Sequence, residues 1–482
     1  MKYLEKIIEY GLYLLVFLLP IQTRWIIRPG LTEYQTYSLY GTDILLIFIL
    51  LLFIVYKFSI FNFQFSNNFQ LINFQTNSKL GWLIGGLVVI SFVSIFFALN
   101  KWLALYKFGW LILGAGLFWL VVRVKPSRAK LFWSLFVGLA LQSLLAIWQF
   151  FTQTTFANKW LGLSLHQAAE LGASVVATVG ADGVGERWLR AYGGLDHPNI
   201  LGGILAIGII LTINLIITYE KSFRITNYEL RITSKMQEII LWIMLVLFSA
   251  ALFFSFSRTA WLALALALAV MMIGAVRKKN FLAQKNILQA VLISGLIFFI
   301  LFFQFPNLVV TRLYLNDRLE AKSNNERLES AKNSLSIIKK NWLAGSGIGN
   351  YTLALNRLKP GQESFYYQPA HDVYLLILSE TGILGFISFL GLIGYLIIFN
   401  FQFSIFKQFS MNKFSKAALE TRNWKLEIGR NDDGMSGVAN LSVLTAVVVL
   451  MGFDHWLWSL HFGVLFFWLV LGLIADSEIE KS

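Results

Sequence analysis

Residues 366–385 read YYQPAHDVYLLILSETGILG. A polar, proline-marked segment stops at Pro369, His371 and Asp372 follow, and from Val373 the chain turns apolar. The run reaches Phe399, too long for a strand or a short core helix, so the stretch reads as the mouth of a membrane helix. A histidine there meets both water and lipid, and its ordinary pKa suits proton transfer near neutral pH. The plainer reading of His371 is a capping or interfacial side chain. Within the helix the nearby charge is Glu380, about 13 Å deep at 1.5 Å per residue. A buried carboxylate needs a basic or hydroxyl partner inside the bundle. Gly382 and Gly385 follow one turn apart.

Composition places the whole chain in the same class. Of 482 residues 57% are hydrophobic and 14% charged, where a soluble domain would carry about 25% charge. Apolar runs recur at about 6–22, 41–57, 80–99, 103–122, 130–151, 199–219, 237–256, 259–276, 286–305, 372–399, 437–454 and 456–475. The chain is therefore expected to be an all-α polytopic membrane protein of about twelve transmembrane helices. Its divisions are helices one to nine over 1–305, a large, partly helical outer loop over 306–371, and three further helices over 372–482. The N-terminus has the early lysines of a signal peptide but no small-x-small site before Gln22, which predicts a retained first helix. There is no cysteine, so disulfide frameworks and thiolate metal sites are excluded.

The net charge of +14 reports topology before it reports any nucleic acid. With Lys2 and Lys6 in the cytoplasm, the basic loops at 123–130, 221–235, 277–285 and 407–430 also fall inside, and both termini are cytoplasmic. The long hydrophilic segments 152–198 and 306–371 then lie outside. In the second, Ser323 and Glu326 fit a capping box, and Leu328, Leu335, Ile338 and Trp342 recur at helical spacing. This predicts an amphipathic helix over about 324–342, on the membrane surface or roofing a cavity. Gly345, Gly347 and Gly349 end it as turn-makers; without a preceding strand they carry no nucleotide signal. FNFQFS occurs at 61–66 and 399–404, and RIT at 224–226 and 231–233, in low-complexity cytoplasmic loops with no assigned chemistry.

Three arginines stand where the topology disfavours them. Arg258, in SFSRTAWLAL, lies between two apolar helices with no real loop, at or just under the outer surface. An arginine at mid-membrane costs about 2.5–3.5 kcal/mol on insertion scales, so it marks function unless it snorkels to headgroups. Arg327 opens the loop helix, where the plain reading is a solvated surface charge. Arg190 precedes helix six in RAYGGLDHPN; it and Asn199 either line a site or shape the loop, Pro198 suiting a helix start. His166, His197, His455 and His461 are poorer candidates than His371.

These elements resemble the O-antigen ligase (Wzy_C) family. His371-Asp372, nine residues, Gly382, two residues, Gly385 is similar to its H-[N/S/Q]-x9-G-x-x-G signature, with Asp372 replacing the amide or hydroxyl. Ser257-Arg258-x-x-Trp261 resembles its S-R-x-x-W element. Residues 327–351 resemble its R-x-x-x-W…hP-x-x-G-x-G-x-x-N-[FY] stretch, with Ala331 for the tryptophan and Asn341-Trp342 for His-Pro. Arg190 to Asn199 resembles R-x-x-G-x-x-x-x-P-N. The four elements stand in the family's order; elsewhere the likeness is one of hydropathy.

Arginine forks suit phosphate oxygens, and no Asp-x-Asp occurs, so a hard divalent metal site has little support. The resemblance implies a GT-C-type, metal-independent glycosyltransferase on the outer face of the bacterial cytoplasmic membrane. It would move a glycan from undecaprenyl diphosphate to an acceptor. The residues fit that chemistry: His371 as base, Arg258, Arg327 and Arg190 on the donor diphosphate, and Asp372, Asn199 and Glu380 in support. No metal or cofactor is expected. The expected partners are a polyprenyl-diphosphate-linked glycan, a glycolipid, glycan or protein acceptor, and membrane lipid, but no nucleic acid. An O-antigen polymerase or protein O-oligosaccharyltransferase shares donor and motif. A transporter or flippase would instead predict inverted repeats and paired broken helices, a pattern the sequence lacks.

Overall fold

The computed structural model describes residues 2–65, 78–170, 172–179, 185–223, 228–313, 318–414 and 435–479. The chain opens with α1 (Lys2–Leu18), a hairpin of β1 (Arg24–Arg28) and β2 (Tyr37–Tyr40), then α2 (Gly41–Phe65), α3 (Ser78–Ser94), α4 (Lys101–Val124) and α5 (Arg128–Thr152). A second hairpin, β3 (Val175–Val179) and β4 (Gly185–Leu189), leads into α6 (Pro198–Phe223), α7 (Tyr228–Phe254), α8 (Arg258–Arg277) and α9 (Phe281–Gln304). The large loop holds α10 (Pro306–Leu313), α11 (Arg318–Lys340) and α12 (Tyr351–Leu358). Last come α13 (Val373–Phe414), α14 (Met435–Met451), the single turn α15 (Trp456–Ser459) and α16 (His461–Ile479).

The protein is an all-α polytopic membrane protein. Each of the twelve expected spans contains a helix, and among the described residues nine helices are long and apolar enough to cross a membrane. The other three are shorter: α14, the apolar part of α16, and the 17-residue α1, whose first turns carry Lys2, Glu5, Lys6 and Glu9. The span of α6 is 94% buried, against 17% for α9, so α6 is the axis on which α7, α8 and α14 pack and α9 lies at the rim. Gly202 lets the start of α6 approach the α7–α8 turn, since a Cβ there would lie 2.8 Å from that of Ser257.

Two features depart from the sequence reading in secondary structure. The antiparallel hairpins interrupt an otherwise helical chain, one in the connection between α1 and α2 and one inside the loop 152–198. The FNFQFS segments prove largely helical: residues 61–65 extend α2 and residues 399–404 lie within α13. Phe-, Asn- and Gln-rich sequence still forms helix when an apolar helix leads into it. Of the RIT repeats, 231–233 lies in α7 and 224–226 outside the described residues.

The connections expected outside converge on one end of the bundle. Ser38 N donates to Tyr106 Oη, Asn100 N to Asn350 Oδ1, and Gln35 Nε2 to Thr352 Oγ1. Arg190 Nε donates to Ser255 O, Arg312 Nε to Phe256 O, and Asn199 Nδ2 to Asp454 Oδ2. Contacts between basic connections lie at the other end, where Arg128 Nη2 donates to Leu473 O and Lys285 pairs with Glu220 at 3.1 Å.

Helix α13 is broken at Gly382, whose φ of 68° and ψ of −171° belong to glycine alone. Its interrupted backbone bonds are completed by the Gly345–Gly349 loop. Ser346 N donates to Ser379 O and Gly347 N to Glu380 O, each at 2.9 Å, and Ile383 N donates to Trp342 O at 2.9 Å. A break inside an apolar helix survives only with such replacement partners. The three loop glycines all have positive φ and sit where a Cβ would overlap Glu380 O, Ala98 or Lys107.

Helix α11 starts earlier than expected and turns a polar face inward. It begins by Arg318, so Ser323 lies within the helix and Ser323–Glu326 is no capping box. Its buried face is small and polar, with Asn333, Ser334 and Ile337 inward and Ser334 Oγ 2.8 Å from Tyr351 Oη. Leu328, Leu335 and Trp342 are exposed, which turns the apolar stripe away from the protein.

Candidate active site

His371 lies two residues before α13, and the helix start is capped beside it by Asp372, whose Oδ1 accepts from Leu375 N at 2.9 Å. Asn, Ser and Asp are interchangeable in that task, so the departure at this position preserves the cap. No hydrogen bond engages the His371 ring nitrogens among the described residues. Its backbone N–H donates to Ser330 Oγ of α11 at 3.4 Å. Between them runs a groove of about 140 Å³ lined by His371, Glu326, Ser330, Asn333, Tyr366 and Gln368.

Two further groups converge on His371 from the α14–α15 connection. The ring of His455 is 5.5 Å from that of His371, and the ligating atoms of His371, Asp454 and His455 all lie within 4.8 Å of one another. Burial pulls the His371 pKa below its ordinary value; Arg327 adds to this, while Asp454 and Glu326 oppose it. Burial likewise drives His455 down to about 4 and His197 down to about 3, so both are neutral at physiological pH. Burial would raise Asp454, but the surrounding imidazoles and the Asn199 hydrogen bond outweigh it and hold the carboxyl below its usual range.

A chain of hydrogen bonds ties this centre to Arg258. Asp454 Oδ2 accepts from Asn199 Nδ2 at 3.1 Å, and Asn199 Oδ1 accepts from Arg190 Nη2 at 2.7 Å. Arg190 Nε donates to Ser255 O at 2.9 Å. Ser255-Phe256-Ser257 is the whole turn between α7 and α8; Phe256 takes a φ of 46° and Ser257 caps α8 through Ala260 N. Arg258 is the next residue and donates to Arg312 O at 3.4 Å. The HPN sequence explains itself locally: His197 Nδ1 accepts from Asn199 N, so Nε2–H donates to Ser174 Oγ and the neutral imidazole caps α6.

Of the residues singled out from sequence, Arg327, Asp372, Asn199 and Arg190 thus gather around or connect to His371, and Arg258 stands at the end of the connected turn. Arg190 is buried and engaged with the protein itself. Glu380 is buried with a basic group beside it, since Lys107 interacts with it electrostatically, and its hydrogen bonds come from an indole and a helix start. Trp458 Nε1 donates to it at 3.0 Å, and Tyr351 N at 3.4 Å. A carboxylate there meets the positive end of α12. Beside it a cavity of about 30 Å³ is also lined by Lys107, Tyr34 and Pro369, the last shared with the groove.

Sequence reasoning passed over Asp454, His455 and Lys107. Lys107 carried the same signal as Arg258, a cation inside an apolar run; it lies 3.6 Å over the Trp110 ring. Asp454-His455 carried only the signal of two polar residues between two apolar helices.

Residues 243–390 match the Wzy_C family model, described as O-antigen ligase. The matched region, under half of the chain, is similar to an O-antigen ligase domain. That region contains Arg258, Arg327, His371, Asp372 and Glu380, while Arg190, Asn199, Asp454 and His455 lie outside the matched residues but reach its centre. Members of that family are membrane glycosyltransferase- or ligase-type enzymes. No curated protein sequence matches the chain.

Proposed function

We propose that the protein transfers a glycan from a polyprenyl diphosphate to an acceptor hydroxyl, at the outer face of a bacterial cytoplasmic membrane. The observation that carries this reading is the His371 centre: an imidazole with unengaged ring nitrogens on a groove, Asp454 against it, Arg327 close enough to depress its basicity, and the Arg258 turn tied to it. The match of residues 243–390 to the O-antigen ligase family supports a glycosyl-transfer reaction.

In this reaction a His371 ring nitrogen takes the acceptor's O–H proton while the acceptor oxygen attacks the anomeric carbon. The carbon–oxygen bond to the diphosphate breaks and its electron pair leaves on the phosphate oxygen. One displacement inverts the anomeric configuration. Arg258 and Arg327 stabilise the charge growing on that oxygen, the task a metal performs in other transferases. Asp454 favours the imidazolium that forms as His371 takes the proton. Arg190 contributes by holding the turn that presents Arg258. Asp372 and Glu380 fix the backbone on either side. GT-C-type architecture is part of the same reading.

The experiment is transfer by purified protein in detergent, with EDTA present, from a polyprenyl-diphosphate glycan to core lipid A, a peptide and a second glycan-lipid. Product on one acceptor, lost in His371→Ala, supports the reading and chooses among ligase, protein transferase and polymerase. Equal behaviour of wild type and His371→Ala on every acceptor sinks it.

A further inference from the structure

Two imidazoles and a carboxylate meet where one arginine-assisted base is required, and their fine geometry does more than position that base. His455 Nδ1 lies 2.6 Å from Ser459 Oγ, and the Ser459 hydroxyl hydrogen is directed to His455 O at 3.1 Å. The serine oxygen therefore accepts from His455 Nδ1–H, and the proton sits on Nδ1. His455 Nε2 is left with a free lone pair. Asp454 is held by Asn199 Nδ2 on one oxygen and by His455 N on the other, at 3.1 and 2.7 Å, and each oxygen keeps a second lone pair. His371 has unengaged ring nitrogens. Each fixed ligand thus has the outer hydrogen bond that orients metal ligands in proteins.

We propose that His371, Asp454 and His455 form a three-ligand site for a zinc-like divalent ion, with the fourth position open to the groove, and that the bound ion stops transfer. Nitrogen-rich sets of this kind take Zn²⁺ and its neighbours; Mg²⁺ and Ca²⁺ need more oxygens than the site offers. The inhibition rests on the transferase reading: a ring nitrogen of His371 that holds a metal cannot take a proton. The ion is then an external regulator of the enzyme, and the metal-free state is the active one.

The test begins with binding, which is independent of turnover. Untagged protein in detergent competes with a chromophoric chelator for Zn²⁺. One ion per chain is expected, with affinity about 10–100-fold weaker in His455→Gln and in Asp454→Asn and unaffected by millimolar Mg²⁺. Co²⁺ added to wild type should give the visible absorption of a low-coordinate nitrogen–oxygen site, a reading that needs no variant. Absence of that absorption, or binding equal in wild type and both variants, overturns the site. Zn²⁺ should then inhibit transfer over the concentration range in which it binds, reversibly with EDTA. The inhibition midpoint should rise at least tenfold in His455→Gln, measured against that variant's own metal-free rate. Binding at the site with transfer unaffected overturns the inhibition. Binding with no transfer in metal-free protein overturns the transferase reading, and the inhibition with it, while the site stands.

Discussion

In the proposed reaction His371 works only when deprotonated, so the neighbours that set its pKa would also set where transfer turns on. Burial and Arg327 hold that pKa below its ordinary 6.5, and Asp454 and Glu326 pull it back. The rate should therefore rise with pH through a limb below 6.5 and be level near neutrality. Asp454→Asn removes an anion that favours imidazolium, so its limb should move to lower pH. Arg327→Ala removes a cation that disfavours imidazolium, so its limb should move to higher pH while the donor KM rises. His371→Ala should lose about 10²–10⁴-fold in rate and show no such limb. The check is kcat/KM for transfer against pH, and limbs that stay together or move in one direction would rule out His371 as the titrating base. Arg190 allows an equally direct decision between holding the loop and touching phosphate. Its Nε and Nη2 reach two different acceptors, a fork lysine cannot reproduce. Arg190→Lys should lose about 1.5–3 kcal/mol of stability for each charged hydrogen bond broken, seen as a lower unfolding temperature in detergent, with the donor KM unchanged in the protein that remains folded. An unchanged unfolding temperature with a raised donor KM would put Arg190 on the phosphate. The sequence showed His371 and the arginines because motif spacing and misplaced charge are local signals. Asp454 and Asn199 meet only after α6 and α14 have packed, and no local pattern announces that.

Elements were legible to the extent that their periodicity was their own. Long apolar runs became helices at nearly the expected limits, because a helix in lipid satisfies its backbone internally whatever its neighbours do. The hairpins were missed for the opposite reason. Strand β1 is RWIIR with nearly every residue exposed, so it shows no alternation to read, and its pairing depends on β2 across a turn. Helix α11 shows its amphipathic spacing in the sequence, but not that its small polar face packs inward on Tyr351 while Leu328, Leu335 and Trp342 stay exposed, because that choice is made only by the contact with α12. Glycine spacing in α13 gave the positions but not the break. At Gly382 an added Cβ would lie 2.1 Å from Leu343 O, on top of a backbone conformation that costs an L residue about 1–3 kcal/mol. Gly382→Ala should therefore unseat the Gly345–Gly349 loop and lower the unfolding temperature sharply. Gly394→Ala, on the same helix with nothing within 4 Å, should raise it by the equivalent of up to about 1 kcal/mol. The comparison is a fluorescence-detected thermal series in detergent, and equal effects at the two glycines would mean the break is not constrained.

At the scale of the whole molecule, the proposed site residues sit on connections far apart in sequence, and the bundle brings those connections to one end. The hydrogen-bond chain from Asp454 through Asn199 and Arg190 to Ser255 spans the connections before α6, between α7 and α8, and after α14. The catalytic proposal requires this end to face outward, because the glycan donor is presented there. The lysine and arginine bias requires the same independently, since Arg128, Arg277 and Lys285 gather at or near the opposite ends of their helices. The chain has no cysteine, so a single introduced thiol is the one site a maleimide can label. Lys339→Cys, exposed at the end of α11, should react with a membrane-impermeant maleimide in intact spheroplasts. Arg277→Cys, exposed at the end of α8, should react only after permeabilisation. Neither residue touches the His371 groove, so both variants should also be assayed for transfer, which ties the topology to active protein. The reverse labelling pattern would place His371 in the cytoplasm and leave outer-face transfer without a site. Labelling of both thiols in intact spheroplasts would break the twelve-span topology between α8 and α11, where α9 is the only long apolar helix among the described residues.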